Sequence, residues 1–167
     1  MVKFARLCLL YLAALSMTAC GFQPLYATTD GPGGSGLKNV ALVGLTSSSE
    51  IQPFIDRAFK GRISSSVDGA DYDLVVKAQE RADRLAVQID ASVTRYNYRL
   101  IGNYVLINRE TGEQIKGTAT AIASFNVVSS QYSTLFAEKA AREKAAITLV
   151  DEIERDVLLQ IAAASEE

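Results

Sequence analysis

Apolar and polar residues follow four rhythms along this chain. The first is continuous. Leu7 to Met17, LCLLYLAALSM, is an apolar run of 11 residues behind the bases Lys3 and Arg6. A membrane-spanning helix needs about 20 such residues, so the run reads as the hydrophobic part of a secretory signal. The second rhythm is a short apolar block. Residues 39–45, NVALVGL, predict a buried strand closed by the turn-like TSSSE. The third has a helical period. Ile51, Phe54, Ile55, Ala58, Phe59 and Ile63 share one face, with Asp56, Arg57, Lys60 and Arg62 on the other. A helix from Glu50 to about Ser64 is predicted, with Ser47 or Ser48 as its cap and Pro53 in its first turn.

From Tyr72 the period becomes two. Tyr72, Leu74, Val76 and Ala78 share a strand face. The apolar parity then switches, because Leu85, Val87 and Ile89 are odd-numbered. A bulge or short break within KAQERADR, 77–84, is the expected cause. Residues 92–108 predict a long strand with Tyr96, Tyr98, Leu100, Tyr104 and Leu106 on one side. NRETGEQ, 108–114, is a tight turn in which Gly112 supplies a positive φ. The returning strand lines one face with Ile115, Ala119, Ala121, Ala123, Phe125 and Val127, and the other with Thr118, Thr120, Ser124 and Asn126. The helical period returns over 131–163, a stretch without Gly or Pro, where Ala146, Leu149, Val150, Ile153, Val157 and Ile161 form a stripe. Glu138–Arg142 and Asp151–Arg155 are candidate i,i+4 ion pairs.

The order strand, helix, two or three strands, helix predicts an α+β two-layer sandwich. Two helices pack on one face of a mostly antiparallel, mixed sheet of about four strands. The expected organisation is a removed signal over 1–19, a tether over 20–38 and a single domain over 39–165. GPGGSG, 31–36, makes the tether flexible.

Cysteine usage adds a membrane anchor. MTAC, 17–20, resembles the bacterial lipobox, in which the cysteine receives a diacylglyceryl group and the cut falls just before it. Met17 departs from the usual Leu. Cys8, the other of the two cysteines, lies inside the segment expected to be removed, so Cys20 has no partner for an internal bridge. Two or more acyl chains on Cys20 anchor stably, since each buried CH2 contributes about 0.8 kcal/mol. Gly21 stands where an Asp would resemble an inner-membrane retention signal, so the outer membrane is the expected address.

CGFQPLY, 20–26, resembles the mature start of the lipopolysaccharide-assembly lipoprotein family LptE, in particular its alphaproteobacterial branch. Residues 98–153 resemble the rest of that pattern: a Tyr-x-Leu strand, a T-G-E turn, a small-residue strand ending in Phe-Asn, SQY at a helix start, and a long helix of Ala, Glu and Arg. The resemblance implies a non-enzymatic protein at the inner leaflet of the outer membrane. Such a protein plugs the large β-barrel translocon LptD, assists its folding and binds lipopolysaccharide. Of the family's functional residues, only Cys20 matches a motif here.

Charge and composition narrow the chemistry. The 148 residues after the signal hold 15 basic and 19 acidic side chains and no histidine. The commonest general base and zinc ligand are therefore missing, and nucleic acid is a poor partner. Asp71-x-Asp73 lacks a third metal ligand, and the loop serines lack a base, so no enzyme, no metal and no cofactor beyond the lipid on Cys20 are expected. Residues 77–116 are net basic, while 138–167 are net acidic. Lys77 and Arg81 share strand parity, as do Arg95 and Arg99. These four, with Arg84 next, are the candidate contacts for lipopolysaccharide phosphate or for the barrel. The competing reading is a periplasm-facing scaffold or chaperone that binds protein or peptidoglycan, which a sheet edge open to strand addition would favour.

Overall fold

The computed structural model describes residues 37–64, 67–87, 93–127 and 130–164. Its elements run β1 (Val40–Thr46), α1 (Gln52–Phe59), a 3-10 turn (Val67–Gly69), β2 (Tyr72–Val87), β3 (Val93–Asn108), β4 (Gln114–Asn126) and α2 (Gln131–Ala164). The strands lie in the order β1-β2-β3-β4. β1 runs parallel to β2 through the α1 crossover, and β2, β3 and β4 form an antiparallel meander. The sheet is therefore mixed, and the protein is an α+β fold with two helices, as the hydropathy pattern predicts.

Alternation decides which face becomes core. Leu74, Val76 and Ala78 of β2 and Tyr98, Leu100, Tyr104 and Leu106 of β3 are buried on the helix-covered face, with Ala119, Ala121 and Ala123 of β4 beside them. α2 closes that face with Ala145, Ala146, Leu149, Val150, Ile153 and Val157, all fully buried. α1 contributes Ile55 and Phe59, and Ile51 just ahead of it. The alanines of β4 let α2 approach closely. Gly117 makes room for a side chain of β3. A Cβ there would stand 2.2 Å from Cζ of Tyr104, whose ring lies across the glycine. The Tyr104 hydroxyl accepts a 3.1 Å hydrogen bond from Nε2 of Gln160. Gly112 takes φ 73° in the β3–β4 turn, where Asn108 Oδ1 accepts from the backbone N–H groups of Glu110 and Thr111.

Four local expectations change. α1 stops at Phe59, not near Ser64, because Gly61 adopts φ 84° and turns the chain so that Ile63 bridges Leu37 in parallel. Neither Ser47 nor Ser48 caps α1. The N-cap is Ile51, whose N–H donates to the Ser48 carbonyl, and Pro53 stands in the first turn as predicted. Residues 77–84 hold an unbroken antiparallel register with β3, and the shifts fall between Arg84 and Val87. The fourth change is in pairing on α2. Glu138 binds Arg142 at 2.9 Å, but Arg155 pairs with Glu152, and Asp151 binds Arg62 of the segment after α1. Glu154 also accepts from Arg62, at 2.9 Å. Burial disfavours the Arg62 charge, and these two carboxylates outweigh that and raise its pKa.

Candidate functional site

The second face of the sheet carries the cations. Strand parity sends Val75, Lys77, Gln79, Arg81 and Asp83 of β2 away from the helices, together with Arg95, Arg99, Ile101 and Val105 of β3. Lys116, Thr118, Thr120 and Ile122 of β4 join them. Among the described residues no helix covers this face, and Val75 and Ile122 are exposed on it. The register places Arg81 directly opposite Arg99. Like charges so placed repel. Asp83 relieves them, with its two oxygens each 3.6 Å from the Nε of one arginine. Lys77 lies opposite Asn103, and Arg95 opposite Asn126. Side-chain bonds tie the strands between them: Thr118 donates to Asn103 at 2.9 Å, and Ser124 to Asn97 at 2.6 Å.

Four of the five predicted cations, Lys77, Arg81, Arg95 and Arg99, thus stand on one open face. Arg84 pairs with Tyr96 in the ladder, and its side chain lies outside the described residues. Cys20 and the residues expected to form the signal and most of the tether also lie outside them. Among the described residues, Lys77, Arg95 and Lys116 have no carboxylate partner, so their charge is available to an anion. Asp71 and Asp73, weighed above as a metal pair, are used locally. Arg109 donates from Nη2 to Asp73 at 2.5 Å and from its backbone N–H to the Asp71 carbonyl at 3.0 Å.

Sequence reasoning missed a second charged cluster, on the helix-covered side. Glu80 has core parity between Ala78 and Ala82. Its carboxylate accepts from the Ser48 hydroxyl at 2.5 Å and from the Tyr98 hydroxyl at 2.5 Å. Arg142 of α2 reaches the same place: its Nε is 3.7 Å from Glu80, its Nη2 is 2.8 Å from Glu50, and its guanidinium lies 5.9 Å from the Tyr98 ring centre. Burial pushes the Glu80 carboxyl up, but the two hydroxyls and the Arg142 charge outweigh it and hold Glu80 below the ordinary range. Burial and the Glu80 charge push the Tyr98 phenol well above its usual value. The available signal was Glu80 itself, a carboxylate at a core-facing position that needs a partner. A groove of about 530 Å³ opens farther along, where Ala137, Ala140 and Ala141 of α2 face Ala123 and Phe125 of β4, with Lys144 at its rim. Phe125 stacks on Tyr96 at 5.5 Å between ring centres.

No family model and no curated protein matches the chain. Solved structures do. A protein from Caulobacter crescentus described as a candidate lipoprotein superposes with a TM-score of 0.53 at 20% identity, over 78% of this chain and 95% of its own. The rare lipoprotein B of Shewanella oneidensis gives 0.45 at 16% identity, over 74% and 94%. An uncharacterised lipoprotein B of Nitrosomonas europaea gives 0.47 at 14%, over 78% and 92%. The Caulobacter likeness shows a shared fold for this strand–helix–three-strand–helix order.

Proposed function

We propose that this chain is a lipoprotein of the outer membrane, anchored on the periplasmic side through lipid on Cys20. In this reading it partners and plugs the β-barrel translocon of lipopolysaccharide, assists its assembly, and helps deliver lipopolysaccharide to the outer leaflet. No catalytic step is involved. The observation that carries the reading is the joining of MTAC and CGFQPLY to this particular domain order. The Caulobacter protein of like fold is described as a candidate lipoprotein, which agrees with the anchor. The open face with Lys77, Arg81, Arg95 and Arg99 among Val75, Ile101 and Ile122 offers charge for phosphate beside apolar surface for acyl chains or a barrel wall.

The test is a pull-down of the full-length, C-terminally tagged protein from its own envelope in mild detergent. One large outer-membrane β-barrel at about equal stoichiometry is the expected result. Soluble periplasmic proteins or cell-wall fragments in its place would overturn the plug and leave the anchor standing. Binding of lipopolysaccharide should weaken as salt rises, because exposed charges are screened beyond about 10 Å at 0.1 M. One observation favours the second reading, a scaffold or chaperone that binds protein or peptidoglycan: among the described residues β1 ends early and leaves part of β2 without a neighbouring strand.

A further inference from the structure

Thr46, the last residue of β1, pairs with Lys77. β2 runs on, and Ala78–Arg84 keeps its register with β3. Along these seven residues, about 23 Å, the other edge of β2 presents main-chain N–H and C=O groups with no strand beside them among the described residues.

The helix layer has a gap at the same place. α1 is 8 residues long and gone by this level. Ala82 is exposed although its parity is that of the core. α2 buries no residue before Ala141. Leu135 lies two turns ahead of Arg142, on the side from which Arg142 reaches Glu80. The start of α2 lies beside the end of β4 that pairs, through β3, with the far end of β2, so Leu135 stands about 10 Å beyond Arg142 in that direction. Leu135 is 63% exposed, Phe136 54% and Tyr132 71%, and the two rings stand 4.6 Å apart.

We propose that this notch receives an extended segment of a partner protein, apolar on one face and acidic on the other, added as a strand along Ala78–Arg84. A row of ladder donors and acceptors is satisfied by another strand and by little else. Alternate side chains of that strand fall under Leu135, Tyr132 and Phe136. The others emerge on the open face beside Lys77 and Arg81, whose side chain is 77% exposed, and there acidic residues are complementary. The β4 edge is also free among the described residues, but α2 already packs along β4, and Lys116, Thr118 and Thr120 border that edge on the open face. The proposal does not depend on the partner being a barrel, so it stands or falls separately from the function proposed above.

The probe is a fluorescein-labelled ten-residue peptide of alternating Val and Glu, titrated by anisotropy into the full-length protein in detergent micelles. Saturable binding is expected. It should weaken about tenfold in Leu135→Asp, about fivefold in Arg81→Glu, and about tenfold when Lys replaces Glu in the peptide. Lys116→Glu on the β4 edge should leave it unchanged. Both Leu135 and Arg81 are exposed, and an unaltered melting temperature of each variant keeps the comparison clean. Absence of saturable binding overturns the proposal, as does binding indifferent to Leu135→Asp and Arg81→Glu or abolished by Lys116→Glu. So does binding seen only when residues 22–36 are deleted, which would make the chain's own segment the occupant. A concentration-dependent dimer that Leu135→Asp dissolves would assign the notch to a second copy and equally overturn it.

Discussion

Leu135 and Ile153 lie 18 residues apart on α2, five whole turns, and so share one face of the same helix. Ile153 is fully buried, while Leu135 is 63% exposed. The difference lies in what faces each of them. Around Ile153 the sheet has β2, β3 and β4 with β1 at its side, and Arg62, just past α1, is clamped by Asp151 and Glu154. Around Leu135 both β1 and α1 have ended, and among the described residues no strand flanks the continuing edge of β2. An apolar stripe thus states what a helix can bury, and the partner elements decide what it does bury.

The sharpest way to break this comparison is to truncate both residues. Ile153→Ala should cost about 2–5 kcal/mol, because it removes buried methyl groups and leaves a cavity against Gly102. Leu135→Ala should stay within about 0.5 kcal/mol, as substitutions at uncovered positions do. Urea midpoints of the two variants measure it. Equal losses would mean that the far half of the domain is packed like the near half.

A smaller effect probes the sheet side of the near half. Gly117→Ala places a methyl group where the Tyr104 ring already lies, and overpacking of this kind costs about 1–3 kcal/mol. Tyr104→Phe removes only the hydrogen bond from Gln160, worth about 0.5–1.5 kcal/mol. Thermal melts should therefore rank Gly117→Ala below Tyr104→Phe, and the reverse order would show that Tyr104 can swing away.

What was legible in the sequence follows from how local its cause is. The β3–β4 hairpin was legible because alternation persists through both strands and Gly112 supplies the turn. α2 was legible to within a residue at each end. The end of α1 was not, because the apolar period continues to Ile63 while one backbone angle at Gly61 ends the helix. The parity of Leu85, Val87 and Ile89 pointed to a break within 77–84, and the register shifts just past it, between Arg84 and Val87. Glu80 lies inside the unbroken stretch, and its bonds to Ser48 and Tyr98 suit a carboxylate at core parity. Parity within each strand put Lys77 with Arg81, and Arg95 with Arg99. That Arg81 faces Arg99 with Asp83 between them depends on the pairing of two strands, and no single strand encodes it.

The Glu80 cluster marks the border between the two halves, and pH sharpens that border. The folded carboxyl titrates below its ordinary value of 4.5. Its stabilisation is therefore fully present above about pH 4.5 and is lost as pH falls through the lower folded value. Glu80→Gln should cost about 1–3 kcal/mol at pH 7, because it weakens charge-assisted bonds from Ser48 and Tyr98 and leaves the buried Nε of Arg142 facing a neutral group. The variant should also lose less stability than the parent between pH 4.5 and pH 3. Parallel pH profiles would mean that Glu80 does not hold the border together.

The smallest effect belongs to the open face. Asp83→Asn leaves Arg81 and Arg99 opposed with nothing to offset their charge. Exposed pairs of this kind contribute about 0.2–1 kcal/mol and are screened by salt. The variant should therefore be slightly less stable than the parent at 10 mM salt and indistinguishable from it at 500 mM. The same substitution frees two guanidinium groups, so an anionic ligand of this face should bind Asp83→Asn more tightly at low salt. If Asp83→Asn weakened that binding, Asp83 would be positioning the arginines for the ligand, and the face would be a built site in place of a solvated strand surface with a convenient charge.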